Sequence, residues 1–174
     1  MMRREKELLI LSLVRRNARN SLTDMSKKTR IPVTTIYDKL KEYEGDIIKK
    51  HTALIDFKQL GFDVRSQILI KLENEKRELC RVYLLREEHI NSVYRINNGF
   101  DFMVEGVFVN MKDLNDFCES LEEFGVVDLK MFFVLEDLKR EEFLAYKENV
   151  GIQGLSFDDI KGRLGWKDQR SKLE

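Results

Sequence analysis

The chain has 174 residues, of which 43% are hydrophobic and 36% charged, so it is long enough to bury a core and to form two small units. No apolar run approaches the roughly eighteen residues of a membrane span, and the charged start lacks the apolar core of a secretory signal peptide. We therefore expect a cytoplasmic protein without a membrane segment. Cys80 and Cys118 are its only cysteines and lie among apolar neighbours, which favours buried reduced thiols over a disulfide framework or a metal site.

The formal net charge of zero conceals two segments of opposite charge. Residues 1–50 contain 13 Lys or Arg against 7 Asp or Glu, whereas residues 51–174 contain 18 against 24. Neutralisation of phosphates supplies most of the non-specific affinity for nucleic acid. A basic N-terminal segment on an acidic body therefore favours a polyanion-binding head.

The first fifty residues carry the pattern of three short helices. In the first, leucines and a valine recur at helical spacing. The second begins near Ser21 or Thr23, either of which suits its N-cap, and a tight turn follows at Arg30 and Ile31. Pro32 suits the first position of the third helix, where its missing N–H costs nothing. Three helices of this kind predict a helix-turn-helix that reads DNA.

The third helix has one apolar edge and one polar face. At about 100° per residue the apolar edge consists of Val33, Ile36, Leu40 and Tyr43. In a recognition helix the N-terminal residues enter the major groove, and short polar side chains there match base edges. The predicted base contacts are Val33, Thr34, Thr35, Tyr37 and Asp38, with Val33 the weakest because it also faces inward. The predicted phosphate contacts are Arg19, Lys27, Lys39, Lys41, Lys49 and Lys50. A three-helix bundle whose third helix is merely solvated is the alternative.

The segment from Ile47 to Phe57 is rich in β-branched and aromatic residues around the basic pair Lys49 and Lys50. This composition predicts an extended segment. Its two lysines would form a wing on the DNA backbone. An exposed strand with two solvated lysines is the alternative.

Residues 64–136 follow the order βαββαβ. Alternating patterns predict strands from Val64, over 90–97, over 102–108 and over 127–135. A first helix is predicted over 73–86, and a second opens at a capping box of Asn110 and Asp113 and stops at Gly125. The inward residues of the first helix are predicted to be Leu79, Val82 and one of Leu84 or Leu85. The fold class is therefore α+β, with a ferredoxin-like sandwich of four antiparallel strands and two helices on one face.

The uncovered face of this sheet is predicted to contact another subunit. Both alternating sets of the last strand are partly hydrophobic, with Phe132 and Val134 opposite Met131 and Phe133. An exposed apolar face of this size favours a homodimer. A dimer would hold two DNA-reading helices about 34 Å apart, one turn of double-stranded DNA.

The chain resembles the Lrp/AsnC, or feast/famine, family of transcription regulators over residues 5 to about 136. Residues 17–25, Asn-Ala-Arg-Asn-Ser-Leu-Thr-Asp-Met, are similar to the family's stretch between helices one and two. Thr35-Ile36 and Lys39-Leu40 fall where its third helix has Thr-Val and Arg-Ile, and residues 47–56 are similar to its linker strand. The resemblance implies a winged helix-turn-helix joined to a βαββαβ effector and oligomerisation domain. It further implies dimers that assemble into tetramers or octamers, and an amino acid bound between dimers.

The predicted organisation has four parts. They are a helix-turn-helix over 1–50, a linker strand or wing over 51–63, the effector domain over 64–136 and a helical C-terminal extension over 137–174. In the extension, apolar residues from Leu138 to Tyr146 predict one helix, Ser156 caps a short second one, and Trp166 is an apolar anchor.

Asn98-Gly99-Phe100-Asp101 stands where the family has a Gly-Asp-Tyr-Asp turn. The resemblance therefore implies effector contacts from Asn98, Gly99, Phe100 and Asp101. Because Asn tolerates a positive φ, a purely structural hairpin turn is the alternative. No cofactor is expected beyond an amino-acid effector.

The sequence carries no sign of catalysis. It lacks a Gly-rich phosphate loop, a paired-His zinc motif and a nucleophile elbow, so we expect neither catalytic residues nor metal ligands. One enzyme alternative is a siroheme decarboxylase-like protein, whose plan and length are similar and which would use His51, Lys49, Lys50 and Arg95 on a tetrapyrrole. The other alternative is a ligand-sensing assembly protein that does not bind DNA.

Overall fold

The computed structural model describes residues 2–146, and these form two compact units. The helical unit contains residues 2–52 and 139–146, and the sheet unit contains Ala53–Leu138. No helix among the described residues is long and apolar enough to cross a membrane.

The helix predicted over 138–146 is wrong, since these residues contain only bends and turns, and Glu141 and Leu144 adopt positive φ angles that a right-handed helix excludes. The predictions for Ser156 and Trp166 lie outside the described residues.

The helical unit contains α1 (Met2–Arg16), α2 (Leu22–Thr29) and α3 (Val33–Tyr43). Ser21 is the N-cap of α2, and its hydroxyl oxygen accepts a hydrogen bond from the backbone N–H of Asp24 at 3.1 Å. Such caps satisfy an N–H that has no partner inside the helix. The predicted turn is confirmed at Arg30, which adopts a left-handed φ of 58°. The buried core of the unit consists of Ile10, Met25, Ile31, Ile36 and Tyr43.

The start of α3 differs from the prediction by one position. Pro32 is the N-cap residue in an extended conformation and makes no side-chain cap hydrogen bond, so Val33 is the first helical residue. The predicted inward direction of Val33 is wrong, since 40% of its surface is exposed. A helical period alone leaves the first residue of a helix poorly determined, because the preceding turn decides what packs there.

The predicted linker strand is absent from the described structure. Between Ile47 and Phe57 the only β interaction is an isolated parallel bridge from Glu44 to Ile48, and residues 49–56 have no regular secondary structure. An extended segment becomes a strand only when a neighbouring strand pairs its N–H and C=O groups. No described segment provides such a partner here.

The sheet unit has the predicted βαββαβ order, which is confirmed. Its strands are β1 (Val64–Leu72), β2 (Ile90–Arg95), β3 (Phe102–Phe108) and β4 (Val126–Phe133), and its helices are α4 (Arg77–Leu84) and α5 (Met111–Glu122). The four strands pair antiparallel in the order β2-β3-β1-β4. As predicted, Asn110 caps α5, and its side-chain oxygen accepts hydrogen bonds from the backbone N–H groups of Lys112 and Asp113.

The core of this unit lies between the sheet and its two helices. Ile68 and Ile70 of β1 are fully buried. Val104 of β3, which pairs with Ile68, is also fully buried. From the helices the core receives Cys80, Leu84, Leu114, Phe117 and Leu121. Burial raises the pKa of the Cys80 thiol to about 11, so this cysteine is the inert group that the sequence predicts. Cys118 is only half-buried.

The predicted inward edge of α4 is wrong in two of its residues. Leu79 is 56% exposed and Val82 is also exposed, whereas Cys80 and Leu84 are buried. The helix begins at Arg77, after a short 3-10 turn over Asn74–Lys76. The prediction began the helix at Glu73. Periodicity groups Leu79 with Val82 and Cys80 with Leu84, but packing on the sheet decides which of these two neighbouring stripes is buried.

The second face of the sheet is open and has a polar centre. Phe132 of β4 lies opposite Gln67, which lies opposite Glu105 of β3. Glu105 is buried, accepts a hydrogen bond from the Asn91 amide at 2.9 Å, and lies 3.3 Å from Nε of Arg65. Phe132 remains 55% exposed. We call this surface the open face.

Replacing Leu84 by Ala is expected to lower the free energy of unfolding of the sheet unit by about 2–5 kcal/mol, because it leaves a cavity among buried side chains. The matched control is Leu79→Ala on the same helix. Its expected cost is within about 0.5 kcal/mol, because that side chain is exposed. Urea denaturation followed by circular dichroism measures both. An equal loss in the two variants would contradict the observed orientation of α4.

Candidate nucleic-acid interface

The outer face of α3 presents the polar residues that the sequence proposes as base contacts. Thr34, Thr35 and Asp38 are exposed, and Tyr37 is 53% exposed. The opposite edge holds Ile36 and Tyr43, which are buried in the helical unit. Val33 joins the exposed set because of its outward direction. The five side chains proposed as base contacts are therefore all accessible on one helix.

A shallow groove of about 270 Å³ follows the C-terminal half of α3. It is lined by Tyr37, Leu40, Lys41 and Glu44. The exposed Lys41 ammonium is the cation of this groove. Lysine on a flexible stem suits contact with phosphate, which needs charge more than fixed geometry.

Lys39 differs from Lys41 although the sequence gives both the same role. Its ammonium lies 2.7 Å from a carboxylate oxygen of Glu42 and 3.4 Å from one of Glu7. The hydrogen bond with Glu42 is the largest cause that raises the pKa of Lys39. The charge of Lys39 is therefore paired with carboxylates of the helical unit.

The remaining predicted phosphate contacts are exposed. Arg19 lies in the turn between α1 and α2, and Lys27 lies in the last turn of α2. Lys49 and Lys50 follow the helix-turn-helix on the irregular linker, where Lys49 donates a hydrogen bond to the carbonyl of Gly45 at 3.2 Å. They are solvated cations on a loop, since the predicted wing does not form as a strand.

The Asn98–Asp101 turn is held by contacts within the sheet unit. Asn98 and Gly99 both have positive φ, 64° and 91°, which is the combination of a type I′ hairpin turn. The Asp101 carboxylate accepts a hydrogen bond from the backbone N–H of Leu72 at 2.9 Å and lies 2.6 Å from Nε of Arg77. This carboxylate therefore ties the turn to β1 and α4. Lys130 lies over the ring of Phe100, 5.2 Å from its centre.

The residues of the tetrapyrrole alternative are divided between the two units. His51 belongs to the helical unit and Arg95 to the sheet unit, and both are exposed. Within the described residues, no group of His, Cys, Asp and Glu is arranged to hold a metal ion.

Sequence reasoning missed one contact cluster of the helical unit. Arg15 and Arg16, at the C-terminal end of α1, contact the chain segment 139–146. The basic residues are visible at the end of a predicted helix, but a pattern analysis finds no signal for a partner more than 120 residues away.

Comparison with known proteins extends these observations. Residues 66–143 match the Lrp/AsnC ligand binding domain. The chain is 29% identical over 136 residues to an uncharacterized HTH-type transcriptional regulator of Pyrococcus furiosus, covering 77% of this chain and 91% of that protein. It is 27% identical over 140 residues to the HTH-type transcriptional regulator FL11 of Pyrococcus abyssi, covering 79% and 93%.

Solved structures share the fold at lower identity. A transcriptional regulator of Neisseria meningitidis, solved as a complex with L-Met, superposes with a TM-score of 0.71 at 19% identity, covering 78% of this chain and 91% of that one. LrpC of Bacillus subtilis superposes with a TM-score of 0.70 at 18% identity, covering 77% and 95%.

The replacement Asp101→Ala is expected to destabilise the sheet unit by about 1–3 kcal/mol, because it removes a charged partner from a backbone N–H and from Arg77. Urea denaturation measures the loss, and Asp128→Ala, at an exposed carboxylate of β4, is the control. Unchanged stability together with lost binding of an amino acid would contradict the structural role and assign Asp101 to an effector.

Proposed function

This chain belongs to the Lrp/AsnC family of transcriptional regulators, and we propose that it selects its DNA sites with the outer face of α3. The observation that carries the proposal is the division of this helix into two edges. Ile36 and Tyr43 fix one edge in the core, and the polar side chains of Thr34 and Asp38 are exposed on the other. Burial of the first edge holds the second in a defined orientation, which base recognition requires.

Base contacts are assigned to the N-terminal half of the helix. Thr34, Thr35 and Asp38 donate or accept hydrogen bonds, and they lie in the first two turns, where a recognition helix meets base edges. The side chains of Val33 and Tyr37 offer apolar surface, which suits the methyl group of thymine.

Phosphate contacts are assigned to the exposed cations around α3. These are Arg19, Lys27, Lys41, Lys49 and Lys50. Lys39 was predicted with them, but its pairing with Glu42 and Glu7 supports an internal role. Phosphate contacts set the position of a protein on the duplex and carry little sequence information.

Regulators of this family form oligomers, and we assign a homodimer to the open face. Phe132 and Tyr94 supply exposed apolar surface there, while the two helices of the sheet unit pack on the opposite face. A two-fold axis would place two copies of α3 on successive turns of DNA, about 34 Å apart. Tetramers or octamers would then be built from such dimers.

Response to an amino acid is the remaining part of the proposal. The Neisseria relative was solved with L-Met, and the matched family model is a ligand binding domain. At the turn, Asn98, Gly99 and Phe100 remain the predicted contacts, whereas Asp101 is already paired with Leu72 and Arg77. A regulator of this kind meets its DNA in the cytoplasm.

The curated relatives carry the names of regulators and not of enzymes. The chain is therefore a regulator, and we reject the decarboxylase alternative. The alternative of an assembly protein without DNA binding is opposed by the exposed polar face of α3 and by the basic N-terminal segment.

The primary test is fluorescence anisotropy of the purified chain with DNA from its own upstream region and with a scrambled duplex, over a series of salt concentrations. We expect tight, salt-dependent binding that prefers the native duplex. Equal binding of both duplexes would contradict sequence recognition, and no binding at low salt would remove DNA from the function.

Thr34→Ala is expected to reduce the preference for the native duplex by about 1–3 kcal/mol, because it removes a base contact.

Lys41→Ala is expected to weaken binding to both duplexes alike and to reduce the slope of log K against log salt by about one unit. The same anisotropy series measures both effects. Lys39→Ala, two residues earlier on the same helix, is the matched control and should leave the salt slope near that of the unaltered protein, because the Lys39 ammonium is paired with Glu42 and Glu7. Equal effects of Thr34→Ala and Lys41→Ala on both duplexes would contradict the division of roles.

Phe132→Glu is expected to convert the dimer to monomers, because it buries a charge in the proposed apolar contact. Sedimentation velocity measures the oligomeric state. The control is Leu79→Glu, whose side chain is equally exposed at 56% but lies on α4. If Leu79→Glu dissociates the protein and Phe132→Glu does not, the subunits associate through the helical face.

A further inference from the structure

Residues 139–146 return to the helical unit and pack on the C-terminal end of α1, and we call this segment the clasp. Arg15 makes two of its contacts. Nε of Arg15 donates a hydrogen bond to the backbone carbonyl of Phe143 at 3.1 Å, and its guanidinium forms an ion pair with the Glu141 carboxylate. The guanidinium of Arg16 lies over the ring of Tyr146, 5.6 Å from its centre.

The clasp gives Arg15 the same kind of partner that a DNA backbone offers. A guanidinium group presents N–H donors in a planar fork, and this fork binds two oxygen atoms of a phosphate or a carboxylate at once. Here one oxygen comes from Glu141 and the other from the Phe143 carbonyl. Arg15 and Arg16 precede Arg19, an exposed cation, in the same basic cluster.

We propose that Arg15 and Arg16 form a DNA-phosphate binding site which the clasp occupies in the free protein. This proposal rests on the proposed function, since it needs a DNA complex. Glu141 and the carbonyl of Phe143 stand in for phosphate oxygens, and the approaching backbone replaces them. The clasp thus sets how many phosphates the helix-turn-helix neutralises.

Three features of the clasp make this exchange feasible. The Arg15–Glu141 pair is exposed on both sides, 43% for Arg15 and 53% for Glu141, and exposed pairs are weak and screened by salt. Glu141 and Leu144 both have positive φ, 54° and 60°, a conformation that costs energy for side chains with a Cβ. Ala145 is the buried residue of the segment, so little apolar surface holds it. A polyanion therefore competes against a weakly held partner.

The test uses the full chain and the duplex selected in the primary experiment, with anisotropy measured over a salt series. E141Q removes the carboxylate that pairs with Arg15 and keeps the size of the side chain. We expect it to bind the duplex about two- to fivefold more tightly, and the slope of log K against log salt to become steeper by about one unit. The double variant R15Q/E141Q should lose both gains, because the freed phosphate contact is made by Arg15.

E142Q is the matched control. Glu142 is the next carboxylate of the clasp and lies 3.8 Å from Lys139, so its replacement should leave affinity and slope unchanged. Circular dichroism melts of each variant separate a folding defect from a binding effect.

Each outcome decides one question. If the unaltered chain prefers the native duplex but E141Q binds as E142Q does, the clasp is only a structural brace and the inference is overturned. A gain in E141Q that persists without Arg15 overturns it as well. If the unaltered chain binds neither duplex, the proposed function fails and the inference falls with it.

Discussion

The burial of one edge of α3 is the constraint on which the proposed DNA-reading surface depends. Ile36 is fully buried and Tyr43 nearly so, and both belong to the buried cluster that includes Met25 of α2 and Ile10 of α1. A fully buried apolar side chain resists rotation of its helix, because turning it outward exposes that surface to water. The outer face of α3 is therefore presented by the core of the unit and does not depend on its own polar contacts.

In the sheet unit, too, the burial of one set of side chains fixes which side chains are exposed, but here the set recurs every second residue. Alternate residues of β1, Ile68 and Ile70, are buried under the helices, so the residues between them must lie on the open face. That face combines exposed aromatic surface at Phe132 with the buried carboxylate of Glu105 and its partner Arg65. A polar group at the centre of an apolar surface can fix how a second copy docks, because a shifted register would leave the charge unpaired.

Some charged side chains form ion pairs within the protein, and others are exposed and available to a ligand. Lys39 is paired with Glu42 and Glu7, Asp101 with Arg77, and Arg15 with Glu141. These pairs position elements and reduce the charge available to a ligand. In the proposed complex, exposed cations such as Lys41 contact phosphate, so the number of basic residues in the segment exceeds the number of phosphate contacts that we expect. We expect the basic N-terminal segment to attract DNA as a whole and the individual ion pairs to decide which cations are available to contact it.

The sequence by itself determined the order of the three N-terminal helices and of the βαββαβ unit, together with the caps of α2 and α5 and two turns. Ser21, Asn110 and the Asn98-Gly99 turn act locally, through hydrogen bonds and φ angles set by a few neighbouring residues, so they are readable from the chain. The alternating pattern likewise identified β1 as a strand. Ser21 also lies in the stretch over 17–25 that is similar to the Lrp/AsnC family. Tertiary structure decided the outward direction of Val33, the exposure of Leu79 and Val82, and the lack of a strand partner for the linker. It also decided the pairing of Arg15 with Glu141, which are 126 residues apart. Periodicity shows which residues share a face, but not what covers that face, and contacts between distant segments leave no local pattern to read.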